Sequence, residues 1–128
     1  MGHLGSRAVK ANFVAIGACC AALGVALGAF GAHGLRRALS EAQLGLWETA
    51  TRYWLVGALG ILVFGSVREK RELSAAPGWL LLAGSTLFSA SLYALALGAP
   101  RAWGAVTPFG GLGLIFGFMS FAWLARQR

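Results

Sequence analysis

An all-α bundle of four membrane-crossing helices is what this sequence predicts, and three observations carry the prediction. Of its 128 residues, 58% are hydrophobic and only 12% charged, more apolar surface than one small water-soluble core absorbs, so the excess must face lipid. The apolar residues gather in four runs with Lys and Arg at their borders. None of these runs shows the period-two alternation of a barrel strand, which leaves helices to satisfy the backbone polar groups inside hydrocarbon. A chain of 13.3 kDa has room for one domain, residues 1–128, and no linker divides it.

The first run, residues 8–32, is interrupted only by Lys10 and Asn12 at its start. At about 1.5 Å per residue it reaches roughly 35 Å, enough for a hydrocarbon layer of about 30 Å. "AFGA" at Ala29 to Ala32 offers a peptidase small residues, but the run exceeds the roughly 7–15 apolar residues of a secretory signal, so a retained span is favoured. "LRRALSEAQLGLWETATRYW", Leu35 to Trp54, follows. Ser40 with Gln43 fits a capping box, and Leu39, Ala42, Leu46, Ala50 and Tyr53 recur at helical spacing. An amphipathic helix is therefore expected over residues 40–52, lying at headgroup level with Trp47 and Trp54 as interfacial rings, before it turns or continues into the second span. That span, residues 51–67, is long enough only if its helix starts upstream. The third, residues 78–99, begins after Ser74 and Pro77. The fourth, residues 108–124, begins at Thr107, a candidate cap, with Pro108 at the first helical position.

Burying leucine between helices gains little in lipid, so close backbone approach at small residues must contribute more. Each span has such a seam: Gly17, Ala21, Gly24, Gly28 and Gly31 in the first; Gly57 and Gly60 in the second; Ser85, Ser89, Ala90, Ala94 and Gly98 in the third; Gly113 and Gly117 in the fourth. These seams serve packing within one chain, or within a homo-oligomer or larger membrane complex; the pattern leaves that choice open.

Orientation follows from Lys and Arg. With the N-terminus inside, Arg7, Lys10, Arg68, Lys70, Arg71, Arg126 and Arg128 fall on the cytoplasmic side, against Arg36, Arg37, Arg52 and Arg101 outside. Seven against four predicts N-in, C-in. The net charge of +7 would point to nucleic acid in a soluble chain. Here the basic residues sit at the ends of apolar runs, so membrane lipids are the expected partners and nucleic acid is not.

Chemistry-bearing residues are few. Cys19 and Cys20 are adjacent and lack the spacing of a redox pair; they read as small apolar residues. His3 lies in the terminal tail and His33 stands alone, so no metal set is expected, and no cofactor site either. There is no Asp, no Ser/His/acid set and no phosphate loop, so no catalytic residues are assigned and an enzyme is not favoured. The first span also lacks the carboxylate on which small multidrug exporters rely. What remains is Glu48 four residues before Arg52, the favourable order for an ion pair, at a depth where a charge must be paired or snorkel. His33, Tyr53 and Tyr93 could meet them in an outward-facing pocket able to hold an anionic headgroup or shuttle a proton. The plainer reading, a structural pair with His33 as a hydrogen-bonding residue at a helix end, is favoured.

"GAFGAHGL" at Gly28, "WETATRYW" at Trp47, "FSASLYALAL" at Phe88 and "GAVTPFGGL" at Gly104 resemble the signature segments of the YgdD-like family of small inner-membrane proteins, domain of unknown function 423, which has a mitochondrial transmembrane relative in animals. The resemblance runs over nearly the whole chain. It implies four transmembrane helices in a bacterial inner membrane and supplies no established reaction. Members typically carry "RYQMYHALAL" where this chain has "RYWLVGALGI", so Trp54 and Gly57 replace a Gln and a second His. The functional expectation is a non-enzymatic structural, accessory or self-associating membrane protein; the alternative is a small transporter or lipid-binding protein using His33, Glu48 and Arg52.

Overall fold

The computed structural model describes residues 11–127. The expectations for His3, Arg7, Lys10 and Arg128, and the start of the first span at Ala8, lie outside the described residues. Within them the chain forms α1 (Phe13–His33), α2 (Glu41–Lys70), α3 (Ala76–Ala96), a 3-10 turn (Arg101–Ala105) and α4 (Thr107–Ala125). All four helical segments are long and apolar enough to cross a membrane, so the four-span prediction is met. Successive helices run antiparallel, and the close contacts link each helix to its neighbour in sequence; α2 and α4 touch only slightly.

The seam glycines lie where these helices meet. A Cβ on Gly17 of α1 would lie 2.5 Å from the Leu62 backbone nitrogen of α2. One on Gly84 of α3 would lie 2.5 Å from the Leu114 nitrogen of α4, and one on Gly113 2.9 Å from the Cα of Gly84. Gly57 and Gly60 of α2 leave room for Ser85 of α3 and Phe118 of α4, and Gly117 leaves room for Leu81. Backbone cannot yield as a flexible side chain can, so the approaches at Gly17, Gly84 and Gly113 leave no room even for a methyl group without a shift of the helices.

The two ends of the bundle are built differently. At the end where α1 begins, Phe13, Ile61, Phe64, Leu81 and Leu114 form the apolar core, with Phe13 and Phe121 both edge-on to Phe64 at 5.5 and 5.2 Å. Arg71 closes this end. Its guanidinium donates to the carbonyls of Leu124 and Ala125 in the last turn of α4 and to that of Gln127 just beyond it. At the end where α1 finishes, hydroxyls take over. Ser89 donates to the Ala50 carbonyl at 2.7 Å. Ser91 gives its proton to the Phe88 carbonyl, so Thr107 donates to Ser91 across 2.6 Å.

Three local expectations are corrected. Ser40 and Gln43 do form the capping box, but residues 41–52 are the first turns of one 30-residue helix rather than a separate element. No proline interrupts the segment, so the helix propagates to about 45 Å, longer than the hydrocarbon is thick. Thr107 is not the cap of α4: the 3-10 turn runs directly into the helix, Val106 already has helical dihedrals and no side chain caps it. Pro108 then falls at the second helical position rather than the first. Gly98 lies beyond α3, which ends at Ala96; with φ of +97° it turns the chain where other residues are strained.

A lateral groove between the first two helices

The α1–α2 contact at the hydroxyl-rich end is built by a matched spacing. Gly24 and Gly31 are seven residues apart on α1, and Trp47 and Trp54 are seven apart on α2. Because the helices are antiparallel, Trp54 meets Gly24 and Trp47 meets Gly31. Each glycine uncovers the carbonyl four residues before it: Trp54 Nε1 donates to the Cys20 carbonyl at 2.7 Å and Trp47 Nε1 to that of Leu27 at 2.9 Å. The sequence suggests both tryptophans as interfacial rings at headgroup level; in the structure each indole N–H is instead taken up by a bared carbonyl of α1. Trp47 is buried and also packs edge-on against Tyr93 of α3 at 4.4 Å. Thr51 gives its proton to the Trp47 carbonyl, so the Tyr93 hydroxyl donates to Thr51 across 2.5 Å. Three helices are thereby tied at one level.

Beside this junction lies a groove of about 320 Å³. Gly28 and Gly31 make its floor, Trp47 and Thr51 its wall, and Glu48 and Arg52 its charged rim. All its lining comes from α1 and α2, so it opens on the flank of the bundle. Gly28 sits against Thr51, which sets Arg52 near the level of Gly28, about 8 Å short of the end of α1 at 1.5 Å per residue. Glu48 is one turn nearer that end. Both side chains are exposed, and no hydrogen bond among the described residues joins them to each other or to a third group.

The sequence-derived constellation is therefore divided. Glu48 and Arg52 share the groove. His33 is the exposed last residue of α1, with its neighbour Ala32 in the lining instead. Tyr93 stands behind the groove wall, bonded to Thr51. Tyr53 turns to α3, where its ring meets Phe88 at 5.0 Å. Thr51 and the two indole N–H groups were missed from sequence. The equal spacing of the glycine and tryptophan pairs was the available signal. A second, larger cleft of about 940 Å³ lies at the opposite end, near Asn12 and Arg71; Arg68 there donates to the Leu73 carbonyl and lies over the Phe13 ring.

Four antiparallel apolar helices, with bulky side chains such as Val25, Leu59, Phe109, Ile115 and Met119 turned outward, define a polytopic helical membrane protein. The chain belongs to the family described as protein of unknown function (DUF423), whose profile matches residues 27–111. It is 42% identical to the UPF0382 membrane protein SH2409 of Staphylococcus haemolyticus, over 84% of this chain and 88% of that protein. It is 44% identical to UPF0382 membrane protein SERP0230 of Staphylococcus epidermidis over the same shares. With YwdK of Bacillus subtilis, also a UPF0382 membrane protein, the identity is 39% over 84% of this chain and 89% of the relative. No solved structure matches the chain.

Proposed function

We propose that the protein is a non-enzymatic component of a bacterial cytoplasmic membrane, oriented N-in and C-in, that holds a membrane lipid in the groove between α1 and α2. One observation carries the reading: an acid and a base with no hydrogen-bond partner among the described residues lie one turn apart on a glycine-floored groove, below the end of α1. Leaving two ionisable side chains unsatisfied at that depth costs free energy, which a ligand that pairs with both returns. The groove opens sideways rather than through the bundle. That favours lipid retention over transport.

The packing glycines Gly17, Gly24, Gly28, Gly57, Gly60, Gly113 and Gly117 each face a neighbouring helix of the same chain. A homo-oligomer or larger complex would therefore have to use other surfaces, which makes self-association the weaker of the two readings. The test is lipid retention. Purified in mild detergent and examined by native mass spectrometry, the protein is expected to keep about one lipid per chain, and Ala32→Phe, which fills the groove mouth from an exposed position, is expected to lose it. A lipid-free wild type, or equal retention by Ala32→Phe, would overturn the reading.

A further inference from the structure

The order of the two charges along α2 names a class of lipid. We infer that the groove selects a zwitterionic phospholipid carrying a primary ammonium, with Arg52 on the phosphodiester and Glu48 on the ammonium; this rests on the lipid-groove reading above. In such a lipid the phosphate lies next to the glycerol and the ammonium lies further toward water. On α2 the cation is the deeper residue and the anion is one turn, about 6 Å, nearer the helix end. The two sequences of charge are complementary in sign and in depth. They stay complementary whichever side of the membrane this end faces.

Other headgroups match less of this. An anionic lipid without an amine pairs with Arg52 but sets its negative charge near an unpaired Glu48. A choline headgroup offers Glu48 no N–H, and its usual alternative, an open aromatic face, is lacking because the Trp47 ring is packed against Gly31 and Tyr93. A serine headgroup supplies an amine but places a second carboxylate beside Glu48. The groove volume of about 320 Å³ is at the small end for ligand sites, so it takes part of one lipid while the rest stays in the bilayer.

The experiment uses the full chain, purified and equilibrated with equimolar dioleoyl phosphatidylethanolamine, phosphatidylglycerol and phosphatidylcholine, with bound lipid read by native mass spectrometry. Wild type is expected to favour phosphatidylethanolamine about tenfold over each competitor, the worth of one charge-assisted hydrogen bond. Glu48→Gln removes that preference and raises the phosphatidylglycerol share; Arg52→Gln lowers retention of all three phospholipids. Neither side chain makes a hydrogen bond among the described residues, and unchanged helicity by circular dichroism checks the fold. If Arg52→Gln misfolds, the Glu48→Gln ratio alone decides. Lipid retained with a preference for phosphatidylglycerol or phosphatidylcholine, or a ratio indifferent to Glu48→Gln, overturns the headgroup assignment and leaves the groove standing. No retained lipid at all overturns both.

Discussion

Trp47 and Trp54 owe their places to what they would otherwise leave unsatisfied. An indole N–H in hydrocarbon has no water to bond, and Gly31 and Gly24 uncover carbonyls within reach. Trp47→Phe keeps most of the ring and removes the donor, so a loss of about 1 kcal/mol is expected, read as a lower midpoint in detergent unfolding. Gly31→Leu should cost more, because it displaces the whole Trp47 ring and with it the Tyr93 contact. The Thr51–Tyr93 bond can be measured by a double-mutant cycle with Thr51→Val and Tyr93→Phe; a coupling of about 0.5–1.5 kcal/mol is expected, and zero coupling would show that the bond adds nothing. At this scale the sequence was only partly legible. Glu48 and Arg52 stood out because charge is rare in an apolar chain, whereas Thr51, Ser89 and Ser91 looked like any small residue. Their partners come from other helices, so spacing along one helix could not reveal them.

Elements meet through glycine on one side and a particular neighbour on the other. At Gly17 that neighbour is the backbone of α2, and at Gly84 and Gly113 it is the facing backbone of α4 and α3. Gly17→Ala and Gly84→Ala are each expected to destabilise by about 1–3 kcal/mol as overpacked sites, while Gly45→Ala, where the added methyl meets open space, should be neutral or stabilising through helix propensity. Thermal unfolding of the three variants side by side checks the contrast. Arg71 acts at a distance along the chain by holding the carbonyl end of α4; Arg71→Ala should free the last turn of α4, seen as faster amide exchange near Leu124 and Ala125 with the centre of the helix unchanged. Helix existence was plain from the sequence because four charge-bordered runs leave few alternatives. Helix ends were less so. Thr107 and Pro108 have the chemistry of a helix start, yet the 3-10 turn before them had already set the backbone, and the hydroxyl went to Ser91 instead.

Over the whole molecule the bundle combines an aromatic core at one end with hydroxyl bonds and the charged groove at the other, and the proposed topology puts the groove in the outer leaflet. A reporter active only in the cytoplasm, fused after Gln127, should be active, and one inserted at Arg101, between α3 and α4, should be silent; the reverse pair would invert the topology while leaving the helix packing untouched. Composition and the placement of Lys and Arg determined by themselves that this chain lives in a bilayer as four helices, because the cost of unpaired backbone in hydrocarbon leaves so few solutions. Which glycine meets which neighbour, that Trp47 and Trp54 turn inward, and that Glu48 and Arg52 share a groove without His33, Tyr53 or Tyr93 at its rim were decided by tertiary structure alone. The physical reason is that a helix fixes directions only about its own axis. How far each helix slides and rotates against the next depends on close contacts between residues distant in sequence.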